Sequence, residues 1–207
     1  MTSKKQANFY FDVISPFSYI YVKQCGSLAE QLNIQPIPIF LGGLLRSLNS
    51  KGPAEIPPKR IHTYQYCTWL AQSLRLPFRF PETHPFPSVS AQRLLVQSRA
   101  DWKMVERALE FVWQHGRDPN SSWSDFCIYL GLPAQTAIPS DVAVKCALIA
   151  NTENAIAEGV FGVPALTLDG HCFWGVDTIP WTLDYLKDPN MFHHDSYRHA
   201  ANIPFGI

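Results

Sequence analysis

Paired cysteines are missing from this sequence. Five cysteines are spread over 207 residues, and no two of them form a C-x-x-C pair. An odd, scattered set predicts free and mostly buried thiols rather than a disulfide framework or a zinc site. It also excludes dithiol–disulfide exchange through a C-x-x-C motif. We therefore expect a protein of a reducing compartment, the cytoplasm. The thiols are those of Cys25, Cys67, Cys127, Cys146 and Cys172.

A metal-binding cluster is not expected either. His193, His194 and His199 are the histidines that most resemble a ligand set. They lie in a polar terminal segment that offers neither a cysteine nor a pair of carboxylates. This setting favours a surface tail, residues 191–207, over a metal site.

Net charge and long apolar runs are absent as well. Lys+Arg and Asp+Glu both number 17. A neutral chain has no basic footprint for nucleic acid or for an anionic membrane. No apolar run approaches the about 18 residues of a membrane-spanning helix. The segment Met1–Gln6 has no apolar stretch or small-residue cleavage site of a signal peptide. We expect no nucleic-acid partner and no membrane partner.

The stretch NFYFDVISPFS, Asn8–Ser18, carries the first functional signal. An apolar strand, Phe9–Ile14, leads into Ser15 and Pro16, which suit the N-cap and first position of a helix running from Tyr19 to about Leu32. A helix N-terminus stabilises an anion placed on it. The stretch therefore predicts an anion site, and our hypothesis is that the anion is a thiolate brought by a ligand; an ordinary helix cap is the alternative.

The order of the predicted elements indicates an α/β fold. A strand, a helix and a second strand, Ile34–Phe40, precede a long helical block. A helix, two strands and a helix follow, which gives the βαβ…αββα order of the thioredoxin arrangement with an all-helical insertion. Pro36 and Pro38 favour the sheet edge for the second strand. Leu41–Gly43 reads as a turn. The later elements are helices Lys59–Leu74, Val89–Arg99, Trp102–Gly116, Ser124–Leu130 and Asp141–Gly159, strands Ala165–Asp169 and His171–Trp174, and helix Ile179–Leu186.

This order predicts a discontinuous domain. Residues 1–41 and 141–190 would form the thioredoxin-like domain, 42–140 the helical insertion domain and 191–207 the C-terminal tail. In thioredoxin-like folds a cis proline stands at the head of a strand beside the active site, and Val163–Pro164 occupies that place. A cis bond there would present the Val163 backbone to an extended peptide.

Several segments together resemble the 2-hydroxychromene-2-carboxylate isomerase family, which has a DsbA-type thioredoxin fold and is related to kappa-class glutathione transferases. The resemblance implies a glutathione-dependent cis–trans isomerase. Its substrate would be 2-hydroxychromene-2-carboxylate or a similar conjugated aromatic acid, and the enzyme would be a homodimer. The segments are Phe9–Ile20 (FYFDVISPFSYI), Asn49–Arg60 (NSKGPAEIPPKR), His84–Pro87 (HPFP), Trp113–Asp118 (WQHGRD) and Lys145–Asp177.

The resemblance also assigns roles to single residues that would bind glutathione. Ser15 matches the catalytic serine, whose hydroxyl donates to the glutathione sulfur and holds it as a thiolate. The backbone of Val163, with Pro164, pairs with the cysteinyl unit. Val176 and Asp177 hold the γ-glutamyl end. The remaining assignments are Lys59 for the glycyl carboxylate or the substrate acid, and Ser50 at a position where asparagine is common.

The expected substrate pocket is aromatic. Phe17 and Tyr19 would flank it, with Trp174 nearby. Tyr66 and Trp69 replace a charged pair of the family, and an arginine of the family is Thr178 here; Tyr66 and Trp69 would enlarge the pocket. These replacements leave two alternatives open. One is a kappa-like glutathione transferase, and the other is a thioredoxin-like protein that binds a thiol or peptide without isomerase activity.

Overall fold

The sheet has four strands. A computed structural model describes residues 4–206 and places the strands in the order β2–β1–β3–β4. β1 runs parallel to β2 and antiparallel to β3, which pairs antiparallel with β4. The edge position predicted for the second strand from its prolines is confirmed. The strands are β1 (Lys5–Phe11), β2 (Leu32–Pro38), β3 (Ala165–Leu168) and β4 (His171–Trp174).

Helices fill the connections between the strands. Two follow β1, six lie between β2 and β3, and two follow β4 within the described part of the chain. The βαβ…αββα order predicted from the sequence is therefore confirmed. The helices are α1 (Pro16–Gln24), α2 (Gly26–Ala29), α3 (Leu41–Ser47), α4 (Pro57–Ser73), α5 (Val89–Gln97), α6 (Trp102–Trp113), α7 (Trp123–Tyr129), α8 (Val142–Ala157), α9 (Ile179–Lys187) and α10 (Asp195–Ala201), with 3₁₀ turns at Pro53–Glu55, Val176–Thr178 and Met191–His193.

Apolar groups cover both faces of the sheet because successive side chains of a strand point to opposite faces. Phe9 and Phe11 of β1 belong to the larger core cluster, which includes buried side chains of α1, α5 and α6. Tyr10 belongs to a second cluster on the other face, with Leu44 of α3 and Ala155 of α8. Helices between β2 and β3 thus share their core with β1, whereas the division into two domains stays a prediction.

Three local predictions are wrong. β1 ends at Phe11 and not at Ile14, since the following backbone bonds to side chains instead of a neighbouring strand. The predicted turn at Leu41–Gly43 is the start of α3, where both glycines lie against the Phe40 ring. The helix predicted to reach Leu32 is broken at Cys25 into α1 and α2.

Candidate active site

Ser15 stands between β1 and α1 as the N-cap of that helix. Its Oγ accepts a hydrogen bond from the Ser18 N–H at 3.3 Å and donates to the Val163 carbonyl oxygen at 3.4 Å. The side chain is 6% exposed. The Val163–Pro164 bond is cis, as predicted. The fold therefore brings the start of α1 against the head of β3, although the two are far apart in sequence.

The loop that leads into Ser15 is held by side chains from the helical segment between β2 and β3. Trp113 Nε1 donates to the Val13 carbonyl oxygen at 2.8 Å. His84 Nε2 lies 2.9 Å from the Ile14 carbonyl oxygen, and Gln92 Oε1 accepts from the Val13 N–H at 3.4 Å. No role was predicted for these three side chains. His84 and Trp113 stand in segments that carry the family resemblance, and Gln92 is a polar residue on an otherwise apolar helix face; those were the signals available.

Asp12 links this loop to α3 and α5. One carboxylate oxygen accepts from the Ile14 N–H at 3.1 Å, and the other accepts from the Leu41 N–H at 2.9 Å and the Ser88 hydroxyl at 3.0 Å. Complete burial raises the pKa of this carboxyl group to about 6. The three hydrogen bonds lower the pKa, but the effect of burial is larger. A buried carboxylate is tolerated here because donors from three segments satisfy it.

A groove with a volume of about 530 Å³ lies beside Ser15. Val163, whose carbonyl oxygen contacts Ser15, is part of its lining. Helix α1 contributes Phe17, and α4 contributes Tyr66 and Leu70. Most of the wall is aromatic or aliphatic, and its charged side chain is that of Asp177. The predicted site residues found in the lining are Phe17, Tyr66, Val163, Pro164, Trp174, Val176 and Asp177.

A glycine turn positions Asp177 at the groove. Gly175 has φ +98°, and its N–H donates to the Pro164 carbonyl oxygen at 2.9 Å. A Cβ at Gly175 would lie 2.5 Å from Asp177 Oδ1. The left-handed backbone and this close approach both require glycine. The hydroxyl of Thr178 donates to the Gly175 carbonyl oxygen at 2.8 Å, so it serves the same turn.

Five predicted residues lie outside the groove lining, and one of them is Ser15, which reaches the lining through its bond to Val163. Tyr19 is fully buried, and its hydroxyl donates to the Pro77 carbonyl oxygen at 2.6 Å, so it does not flank the groove. Trp69 is 58% exposed and lines a separate depression on α4, with its ring 5.7 Å from that of Tyr66. Ser50 and Lys59 are exposed, before and at the start of α4.

Metal and membrane features are not found in the part of the chain that the structure describes. Residues 4–206 contain no cluster of three or more histidine, cysteine, aspartate or glutamate side chains arranged to hold a metal ion. None of their helices combines the length and apolar character needed to cross a bilayer. The five cysteines are free, and Cys25, Cys67 and Cys127 are buried.

Known proteins resemble this chain over nearly its whole length. Glutathione S-transferase kappa 2 of Caenorhabditis elegans is 29% identical over 91% of this chain and 95% of that protein. The 2-hydroxychromene-2-carboxylate isomerase of Sphingobium xenophagum is 26% identical over 89% and 99%. Among solved structures, a 2-hydroxychromene-2-carboxylate isomerase superposes with a TM-score of 0.76 at 23% identity, covering 91% of this chain and 97% of that one, which supports the fold.

The family model for the DsbA-like thioredoxin domain matches residues 6–187. This range includes Ser15, the cis Val163–Pro164 bond and all four strands except Lys5, the first residue of β1. The chain therefore belongs to the DsbA-like thioredoxin family, in which its homologues include a kappa-class glutathione transferase and a 2-hydroxychromene-2-carboxylate isomerase.

Proposed function

We propose that the protein is a glutathione-dependent cis–trans isomerase acting on 2-hydroxychromene-2-carboxylate or a similar conjugated aromatic acid. The observation that carries this proposal is the meeting of Ser15 Oγ with the Val163 carbonyl oxygen at the N-terminus of α1, beside an aromatic groove. When bound, glutathione supplies a thiolate that adds reversibly to the conjugated substrate. The names of the relatives support the same chemistry.

The residues present fit glutathione. The Ser15 hydroxyl hydrogen can rotate, so the bond that it donates to Val163 at 3.4 Å can be exchanged for one to a sulfur atom. The start of α1 adds a partial positive charge, and both effects lower the pKa of a thiol placed there. The Asp177 carboxylate in the groove lining suits the ammonium group of a γ-glutamyl end.

The groove wall suits a flat apolar substrate. Phe17, Tyr66 and Trp174 all line it, and the ring centroids of Phe17 and Tyr66 are 6.1 Å apart. Stacking on such rings holds an aromatic substrate beside the sulfur and excludes water. Val176 would bind the γ-glutamyl end through its backbone. Lys59, at the start of α4, would contact the glycyl carboxylate or the substrate acid, and Ser50, before that helix, would also bind glutathione. We also propose that the protein is a homodimer and is located in the cytoplasm.

A kappa-like glutathione transferase is the second candidate. It is favoured by the groove wall, because none of the described residues that line it is cationic. A substrate acid therefore has no charge partner in the wall, whereas an uncharged electrophile needs none. Both candidates need the same thiolate at Ser15, and they differ in whether the sulfur leaves the product.

The first test is thermal unfolding with increasing glutathione. Specific binding at about 100 times the Kd adds about 2.7 kcal/mol of stability, which raises the Tm by about 5–10 °C for a chain of this size. S-methylglutathione has no ionisable thiol and should give a smaller rise. Unchanged melting at millimolar glutathione contradicts the proposal.

The second test removes the serine hydroxyl. Ser15→Ala should lower turnover at least about tenfold, the usual loss when a positioned donor is removed. Ser122→Ala is the matched control, because Ser122 is the N-cap of α7 and makes no side-chain capping bond. Product analysis then separates an isomer from a glutathione conjugate. Wild-type turnover in the Ser15 variant would exclude the serine from the mechanism.

A further inference from the structure

The peptide group between Ile14 and Ser15 is held at both of its ends. The Ser15 N–H donates to the Asp12 carbonyl oxygen at 3.0 Å, and the Ile14 carbonyl oxygen lies 2.9 Å from His84 Nε2. Rotation of this peptide group would turn the Ser15 Cα–Cβ bond and move Oγ away from Val163. The two bonds therefore fix where the serine hydroxyl points.

The hydrogen bonds also determine which nitrogen of His84 carries the proton. A carbonyl oxygen only accepts, so Nε2 must donate to Ile14. The other nitrogen, Nδ1, lies 2.6 Å from the Tyr64 hydroxyl. In the neutral ring Nδ1 is then an acceptor, and the Tyr64 hydroxyl donates its one proton to it. The same hydroxyl also lies 2.9 Å from the His84 carbonyl oxygen, a second acceptor for that proton. Burial lowers the pKa of His84, which keeps the ring neutral near pH 7.

Aromatic side chains hold the His84 ring in this orientation. The rings of Trp113 and Tyr64 lie with centroids 5.2 and 5.3 Å from it, both edge-on. Phe80 and Phe86 are each 6.2 Å away. Of these four neighbouring side chains, only Tyr64 carries a titratable group, its phenol, and none is charged. The imidazole is therefore a fixed donor rather than a mobile surface group.

We propose that His84 is a positioning residue for the catalytic serine, and that Tyr64, by donating to Nδ1, stabilises the tautomer that the Ile14 carbonyl oxygen selects. His84 acts on glutathione only through Ser15. The inference rests on the proposed function, because its readout is the glutathione sulfur that the serine hydroxyl holds as a thiolate. A peptide group freed at its carbonyl end leaves the hydroxyl in several orientations, and fewer of them meet the sulfur.

A matched pair of variants tests this role. Glutamine reaches the Nε2 position with an N–H donor, whereas methionine has a similar volume and no donor. Ultraviolet absorbance of bound glutathione against pH reports the pKa of its thiol. We expect His84→Met to raise that pKa by about one unit, a tenfold decrease in the ionisation constant of the thiol, and His84→Gln to restore it to within about 0.3 unit. Equal pKa values in the two variants would overturn the proposal.

Tyr64→Phe provides a second arm that removes one oxygen atom. Nitrogen NMR of the histidine rings should show the Nε2–H form of His84 in the wild type and a mixture of the two tautomers in this variant, with a smaller rise in thiol pKa. An unchanged tautomer with unchanged thiol pKa contradicts the role of Tyr64. If His84→Met does not fold, this arm tests His84 instead: a changed tautomer in Tyr64→Phe with no change in thiol pKa overturns the positioning role.

A wrong proposed function gives a different result from a wrong positioning role, because wild-type protein then does not bind glutathione at all. The amide resonances of Ser15 and Ser18 then replace the thiol as the readout. Shifts of both resonances in His84→Met but not in His84→Gln support the positioning role, and equal spectra of the two variants overturn it.

Discussion

Gln92 offers the most direct test of how the loop before Ser15 is held. Its side chain is fully buried in α5 and bonds to the backbone of three segments. Nε2 donates to the Phe11 carbonyl oxygen at 2.9 Å and to the Ile39 carbonyl oxygen at 2.7 Å. Oε1 accepts from the Val13 N–H at 3.4 Å. One amide thus joins the ends of β1 and β2 to the loop.

The cost of losing this amide can be estimated group by group. In Gln92→Met the side-chain volume is nearly kept, so the change is mainly in hydrogen bonding. The Ile39 carbonyl oxygen loses its donor, which costs about 1–3 kcal/mol for a buried group. The Phe11 carbonyl oxygen keeps the bond from the Ile39 N–H at 3.0 Å, and the Val13 bond is long. Each of these adds about 0.5–1 kcal/mol. We expect a total loss of about 2–5 kcal/mol.

Urea unfolding measures this loss as the change in the free energy of unfolding. Gln97→Met is the matched control, because Gln97 is exposed at the end of the same helix, α5. The control should change stability by less than about 0.5 kcal/mol. If Gln92→Met were no more destabilising than its control, the three hydrogen bonds would not hold the loop, and the reasoning on this loop would be refuted.

Two further predictions concern Asp12 and Gly175. The pKa of the Asp12 carboxyl group is raised from 3.8 to about 6 by burial, so this group favours the folded state most below pH 4, and its contribution of about 3 kcal/mol is lost as the pH rises through 6. Urea unfolding at pH 4.5 and 7 should therefore show a smaller pH dependence for Asp12→Asn than for the wild type; equal dependences would disprove the assignment. Gly175→Ala places a Cβ 2.5 Å from Asp177 Oδ1, whereas Gly170→Ala also fills a positive-φ position but meets nothing within 4 Å. Calorimetric titration should show glutathione affinity about tenfold lower in the first than in the second, and equal affinities would remove Asp177 from the binding site.

The order of strands and helices could be predicted because it depends on local patterns. Apolar runs, caps and glycines stand next to each other in sequence, and Pro36 and Pro38 even indicated the sheet edge. The exact end of β1 could not be predicted, since Val13 and Ile14 are as apolar as the strand before them. Their backbone is bonded by side chains from positions 84, 92 and 113, and local patterns do not contain that information.

The part of the candidate site that could be predicted is formed by residues near the two ends of the sequence, which the fold brings together. Ser15 and the cis Val163–Pro164 bond come together as the thioredoxin order requires. The family resemblance assigned Tyr19 to the pocket together with Phe17. Two residues along a helix rotate a side chain by more than half a turn, so Phe17 faces the groove while Tyr19 enters the core.

Strand β1 receives its two neighbours at very different times during synthesis. β2 follows it closely, but the antiparallel register pairs Asn8 with Thr167 and Tyr10 with Ala165, which a ribosome adds only after the whole helical segment. Contacts so distant in sequence close late, because their loop entropy must be offset first. By then α5 and α6 already offer a core to Phe9 and Phe11. The groove beside Ser15 is thus completed only after the residues from Val163 to Pro180 have been added to the chain.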